Sequence, residues 1–473
     1  MQSRINRSST HHTVSDGGLS KFRLIAEQPL RSIVTTPGST IQPPWLIRSY
    51  TAPFVAGKGL TLNSVAFGLF SLFVFAIPWE NALLLPGVGT VSRLLGLVAL
   101  PVAILAILDR SRLRSPSLPL VLMGLFVMWG SLTYLWTANV EATSIRIISW
   151  LQNLGMVWLI WEFADSRARQ LMLMRSYVLG TLVSAVDTLS SYLRGQEAYY
   201  QRYAGSGFDP NDLGLILALS LPMSFYLATI QRNQWMVWVY RLQQILAILA
   251  IGLTSSRAAL VAAVVALLYV PMVLLWAKTF REKCLFFVLI AAVSSCMVSF
   301  LPENSWKRWA GIGTELQQGT WGKRTVIWSA GFDLFREHPS IGVGAGSFGT
   351  ATHHALPASI AKENPFLPAA HNTFLSILAE EGLLGFTLLL LLLSSLVLPV
   401  LRLPAIERSL WLVVLATWAT GVFTLTWEDR KPTWFLFGMI ASWTALRSLP
   451  RKKTEFARNL GARWTLSRNF GRG

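Results

Sequence analysis

The sequence predicts an all-α polytopic membrane protein with about twelve transmembrane helices and one large helical loop. Three observations lead there. Of 473 residues 53% are hydrophobic and only 14% charged, whereas a soluble domain carries about a quarter charged residues. Apolar stretches of 18–22 residues recur along the chain, each long enough to cross roughly 30 Å of hydrocarbon. The net charge of +18 gathers in the two tails and in alternate short loops, which is the signature of topology and not of a nucleic-acid partner.

Residues 1–59 are polar, basic and rich in Ser, Thr and Pro, with no apolar region near the start. They read as a disordered cytoplasmic tail and not as a secretory signal. Twelve spans follow, near 60–79, 91–108, 117–136, 146–163, 170–190, 213–230, 235–253, 258–276, 284–301, 383–401, 409–427 and 433–449. Arg241 interrupts the seventh. Nine of them fill 60–301, a loop occupies 302–382, three more fill 383–449, and 450–473 is a second basic tail.

The basic connectors "DRSRLRS", "ADSRARQ", "QRNQ", "AKTFREK" and "RLPAIERS" alternate with connectors whose charges nearly cancel. The positive-inside rule puts the basic set and both termini in the cytoplasm, and the loops 191–212 and 302–370 outside. Trp79, Trp136, Trp276 and Trp427 fall at span ends, where indole rings favour the interface. Cys284 and Cys296 are twelve residues apart on one apolar segment. On a helix that is about 18 Å, too far for a disulfide, so both read as packing residues.

The cytoplasmic connectors are too short for a nucleotide-binding domain, and no phosphate-loop motif appears. Chemistry is therefore expected on the outer side. In "GKRTVIWSAGFDLFREHPSIGVGAGSFG" (322–349), Val326, Ile327, Ala330, Phe332, Leu334 and Phe335 give an apolar helical side, and Pro339 ends the helix. The glycine-rich "GVGAGSFG" lacks a βαβ context, so a tight backbone crossing is favoured over a phosphate contact.

Arg324 beside Lys323, Arg257 in "LTSSRAALVAA", and Arg202 in "YYQRYAGSGFDPNDLG" all stand at the outer face, against the positive-inside bias. Three such arginines favour a shared anionic ligand, because guanidinium binds phosphate bidentately and keeps its charge. His371 precedes Asn372, a candidate N-cap of "TFLSILAEE", a helix that Gly382 is expected to end. Its ordinary pKa near 6.5 suits a general base. His338, His353 and His354 are rivals in the same loop, and Glu380 and Glu381 are expected merely to close the helix.

Arginines, one base and no nucleotide domain fit transfer of a sugar from a polyprenyl diphosphate. The chain contains no D-x-D, and Asp209 and Asp212 in "DPND" are poorly spaced to replace one. A metal-free, cofactor-free mechanism is expected. A transporter of the same lipid-linked sugar is the reading from another class, with Asp187 and Arg241 as its intramembrane groups. No internal repeat supports it.

Four segments together resemble the O-antigen ligase and polymerase family: "GSGFDPNDLGLILALSLPMS", "LTSSRAALVAA", "KRTVIWSAGFDLFREHPSIGVGAGSFG" and "AHNTFLSILAEEGLLG". The likeness covers about 200–400. It implies an inverting, membrane-embedded glycosyltransferase of the C type in the bacterial inner membrane. The donor would be an undecaprenyl-diphosphate-linked O-antigen and the acceptor a lipid A–core hydroxyl, joined on the periplasmic side. By motif position His371 would be the base, with Arg257, Arg324 and Arg202 on the diphosphate and Asn372 and Lys323 in support. An O-antigen polymerase and a protein O-oligosaccharyltransferase share these motifs and differ in acceptor.

Overall fold

The computed structural model describes residues 61–87, 89–198, 201–276, 299–311, 324–353 and 369–448, with isolated positions between 277 and 298. All of them fall in the compact unit Ala52–Gly473. Both tails, most of the ninth expected span, Cys296, Lys323 and His354 lie outside the described residues.

The described chain is helical apart from one hairpin, β1 (Leu84–Leu85) against β2 (Gly89–Thr90). The helices are α1 (Leu62–Ala76), α2 (Val91–Arg110), α3 (Leu118–Leu132), α4 (Val140–Phe163), α5 (Arg167–Leu193), α6 (Pro210–Ile230), α7 (Gln234–Leu253), α8 (Arg257–Leu267) and α9 (Tyr269–Trp276). The loop supplies α10 (Glu303–Ala310), α11 (Arg324–Glu337) and α12 (Phe348–Thr352). Then come α13 (Thr373–Val400), α14 (Ala405–Val422) and α15 (Lys431–Ser448).

Local chemistry explains the helix starts. Thr61, Thr90, Asn139, Ser166, Asp209, Asn233, Ser256 and Asn372 each accept a backbone amide two or three residues ahead. Each satisfies a donor the helix would otherwise leave orphaned.

Among the described residues six helices are long and apolar enough to cross a membrane. They run Leu62–Ala82, Val91–Arg110, Leu118–Leu135, Pro210–Ile230, Gln234–Leu253 and Thr373–Val400. The segments expected at 146–163, 170–190, 409–427 and 433–449 coincide with α4, α5, α14 and α15, which are long but less apolar. Several of their polar groups face inward, as with Asn153, Gln170 and Glu407. The eighth divides into α8 and α9.

α6 is the axis of the bundle. It packs against α5, α7, α8 and α14, and from Leu213 to Ala228 every residue is buried. A helix apolar on all sides belongs in the interior of a bundle, and its N-terminus therefore opens among the ends of its neighbours. By contrast α2 exposes Leu97, Leu105 and Leu108 on its outer side.

The loop helices have a core of their own, built from Ile327, Ala330, Leu334, Val343, Phe348, Ala370, Leu375 and Ala379. The apolar stripe of α11 is narrower than its sequence suggests. Ile327, Ala330 and Leu334 are buried at helical spacing, whereas Val326 and Phe332 face outward.

The glycine-rich turn is a backbone crossing. Gly342, Gly344 and Gly346 all have positive φ. Val343 and Gly344 donate their amides to the carbonyls of Ala379 and Glu380. Those carbonyls are released because α13 kinks at Gly382, whose φ is 67°. Gly382 thus ends the first helical segment, as its sequence predicts, and a second segment follows directly, while the turn takes up the freed ladder bonds. Gly344→Ala is expected to cost about 2–4 kcal/mol, since a Cβ there would stand 2.4 Å from Thr137 Oγ1 at φ +102°. Thermal unfolding of the purified protein checks this, and an unchanged midpoint would refute it.

One packing expectation fails. Cys284 is exposed. Trp427, past the end of α14, is buried, and its indole nitrogen reaches Asp212.

Candidate functional site

The site is built on the N-terminus of α6, the "DPND" segment. Asp209 caps the helix, its Oδ1 accepting the amides of Asn211 and Asp212, and Pro210 takes the first helical position where a missing N–H costs nothing. Each polar residue of the segment then reaches a different part of the chain.

Asn211 Oδ1 accepts from Arg202 Nη2 and from Ser256 Oγ, both at 2.8 Å. Arg202 is buried, and its Nε donates to Thr254 O at 2.8 Å. One residue past Ser256, Arg257 opens α8 and donates its Nε to Arg308 O of α10 at 2.7 Å. Arg202 and Arg257 are therefore brought to one junction, the tight turn at 254–257, although 55 residues of sequence separate them (257 − 202). Arg202 is more deeply embedded than expected, with two of its donors engaged by protein.

His371 is within electrostatic reach of the same segment, through Asp209. Asn372 is the cap that its sequence announces, accepting Leu375 N at 3.1 Å. His371, just outside the helix, adopts φ +47°, a region histidine enters more readily than most residues. Its backbone is held on both sides. Ala370 O accepts from Trp328 Nε1 of α11 at 3.0 Å. Thr373 Oγ1 donates to Leu425 O at 2.9 Å and accepts Trp427 N at 2.8 Å.

Arg324 lies one helical turn before Trp328, so both are on the face of α11 that meets residue 370. It is close enough to act on the imidazole. Burial is the main cause that lowers the pKa of His371, the Arg324 charge lowers it further, and Asp209 opposes them. The ring is thereby kept neutral near pH 7, able to accept a proton. His338 and His353 are exposed at the surface.

Asp212 completes the frame. Its Oδ1 accepts from Trp427 Nε1 at 2.8 Å, and its Oδ2 lies 3.3 Å from Arg430 Nη2. Trp427 thus ties the first turn of α13 to the first turn of α6. Next to it, Glu428 is buried, paired with Arg146 of α4, and accepts from Ser376 Oγ of α13 at 3.0 Å.

The two glutamates after His371 do more than close a helix. Glu380 is buried and accepts the amides of Gly346 at 2.7 Å and Phe348 at 3.0 Å, with Arg146 Nη1 at 4.0 Å. It pins the glycine-rich turn to α13. Glu381 is buried too, with neither carboxylate oxygen hydrogen-bonded among the described residues.

Sequence reasoning missed Asp209, Asp212, Arg146 and Glu428. The signal that could find the aspartates is an Asp-Pro pair opening a wholly apolar helix, which marks a buried, polar helix start. Nothing local marked Arg146 or Glu428. Asp187, one group of the transporter reading, holds the loop that leads into this frame. Asp187 accepts the amide and hydroxyl of Ser206, in the loop before α6. Among the described residues no group of three or more His, Cys, Asp or Glu side chains is placed to hold a metal ion.

Residues 244–390 match the family described as O-antigen ligase, and the resemblance drawn from the four sequence segments is thereby borne out. No curated protein matches the chain. The matched stretch runs from within α7 into α13 and holds Arg257, Arg324 and His371, while Arg202 and the α6 N-terminus precede it.

Proposed function

We propose that this chain, matched by the O-antigen ligase family over residues 244–390, joins a polyprenyl-diphosphate-linked O-antigen to a lipid A–core hydroxyl. The observation that carries the reading is one short segment, 209–212, whose Asn211 holds Arg202 and the turn before Arg257, and whose Asp209 acts, with Arg324, on the charge of His371. That is the layout a displacement at a sugar diphosphate requires.

The acceptor hydroxyl gives its proton to a ring nitrogen of His371 as its oxygen attacks the anomeric carbon. The bond from that carbon to the diphosphate oxygen breaks, and the electron pair leaves with the diphosphate. Arg257 and Arg324, braced by Arg202, neutralise the charge that gathers there, which is an electrostatic task for preorganised donors. A single displacement inverts the anomeric centre, and the arginines take the part a metal would otherwise play. The reading places about twelve spans in a bacterial inner membrane, in a C-type glycosyltransferase architecture, with the site on the periplasmic face.

Arg324→Lys tests the phosphate role. Lysine keeps the charge and loses the planar fork, so transfer is expected to fall about tenfold to a hundredfold, the worth of one charge-assisted hydrogen bond. Full activity in an in vitro transfer assay would make Arg324 an anchor only. The function itself is tested in a deletion strain by running lipopolysaccharide on a gel and extracting lipid-linked glycans. Long polymer held on the lipid carrier beside bare core is the expected result. Core capped by one repeat unit would make the chain a polymerase.

A further inference from the structure

We propose that Tyr192 and Tyr203 form an aromatic platform that binds a sugar ring of the donor's glycan, in the loop that leads from α5 to α6. The inference rests on the donor reading above, and both residues precede the stretch that the family matches.

The platform is made by a loop that folds back on its own helix. Tyr192 stands in the last turn of α5, and Gly195, at φ +66°, turns the chain. The amides of Gly195 and Gln196 return to the carbonyls of Tyr192 and Ser191, at 3.0 and 2.8 Å. Ala198 N then donates to Arg202 O at 2.8 Å, which doubles the chain over and brings Tyr203 against Tyr192. Their ring centroids are 5.0 Å apart with the planes at 82°, the edge-to-face arrangement that aromatic pairs favour.

Tyr203 is held from several directions. Its amide donates to Leu253 O at the end of α7, 3.1 Å away. Its hydroxyl is hydrogen-bonded to the Glu197 carboxylate, which also accepts Gln201 N at 2.9 Å. The residue before it, Arg202, is buried and donates to Thr254 O and Asn211 Oδ1. Arg202 therefore goes into the junction at 254–257, while Tyr203, tied to Leu253, flanks it.

Packing does not account for the pair. Neither ring belongs to the bundle core, whereas Tyr177, Tyr226, Tyr240 and Tyr269 do. Both are half-buried, and Leu193, Arg194, Gln196 and Glu197 between them in sequence are exposed. The loop thus holds two rings in fixed positions, partly open to solvent, with a carboxylate at their edge. An aromatic face is negative and the C–H bonds of a sugar ring are weakly positive, so such rings settle on such faces. A carboxylate beside them accepts from sugar hydroxyls. Position selects the glycan of the donor, because Arg202 and Arg257 at the neighbouring junction are the groups assigned to its diphosphate, and the glycan is what that diphosphate carries.

The first test uses the full-length protein in detergent. The probe is O-antigen polysaccharide released from the strain's own lipopolysaccharide by mild acid, which carries neither lipid nor diphosphate. Saturation-transfer NMR is expected to show binding that Tyr192→Ala and Tyr203→Ala each abolish and that Tyr203→Phe, which keeps the ring, retains. No binding to the parent, or equal binding to both alanine variants, overturns the proposal. Equal binding is what a pair that only anchors the loop in the membrane interface would give. Equal binding of core oligosaccharide alone would give the platform to the acceptor and overturn it too. The second test measures transfer by the same variants. Each alanine variant is expected to raise the KM for the lipid-linked donor about threefold to tenfold, with kcat and the acceptor KM unchanged. A donor KM within twofold of the parent in both variants overturns the platform, as does an equal rise in both KM values. Ring-dependent binding of polysaccharide by a protein that transfers no lipid-linked glycan would sink the proposed function and leave the platform standing. Normal transfer by both alanine variants would do the reverse.

Discussion

Replacing His371 by alanine is expected to lower glycan transfer about 10²–10⁴-fold, the usual contribution of a positioned general base, while membrane insertion and folded yield stay near those of the parent. The fold should tolerate the change. What holds this stretch is Trp328 on Ala370 O and residues 425–427 on Thr373, with the cap made by Asn372. The positive φ of His371 carries only a modest penalty for alanine. Near-normal transfer by this variant would remove histidine from the mechanism.

The pH profile follows from the same geometry. Burial first, then Arg324, lower the pKa of His371 below its ordinary 6.5. The imidazole is therefore unprotonated and active at neutral pH, and the rate falls on acidification through a midpoint lying under 6.5. The direction of each neighbour's effect is fixed by charge. Asp209→Asn removes the one opposing influence and moves the midpoint further down, and Arg324→Gln moves it up. A midpoint above 7 in the parent protein, or no movement in either variant, would contradict the arrangement.

Arg146→Ala is the substitution expected to damage the structure most. Arg146 of α4 is paired with Glu428 and lies 4.0 Å from Glu380, both buried. Removing it leaves two carboxylates in the interior without their cation, and breaking a buried pair from one side costs about 3–5 kcal/mol. The loss propagates to the site because Glu428 holds Ser376 and Glu380 holds the glycine-rich turn. Folded yield and thermal unfolding of the detergent-purified protein measure it. The double variant Arg146→Ala with Glu428→Gln is expected to recover part of the loss, since one uncompensated charge is gone. An Arg146→Ala protein as stable as the parent would show that the two carboxylates need no cation.

Much of this protein is legible in its sequence because the signals are local. Apolar length announces the membrane helices, and six of the twelve expected spans reappear as helices long and apolar enough to cross. A cap is a contact over three residues, so Asn372 is read correctly. The glycines of "GVGAGSFG" mark a close crossing before its partner, the end of the first segment of α13, is known. His371, Arg257 and Arg324 stand out because each is a polar residue where the surrounding apolar pattern has no use for one.

What joins these residues is decided by tertiary structure alone. Trp427 and Asp212 are 215 residues apart, Arg146 and Glu428 are 282 apart, and Arg257 and Arg308 are 51 apart. In an apolar bundle a buried polar group must find a partner wherever the packing brings one. Neither composition nor periodicity records which partner that is. Glu380 and Arg308 look in sequence like a helix-closing acid and a surface base. The fold makes one a clasp for a glycine turn and ties the other to Ser255 O, because a side chain's role is settled by the dielectric and the neighbours it is folded into.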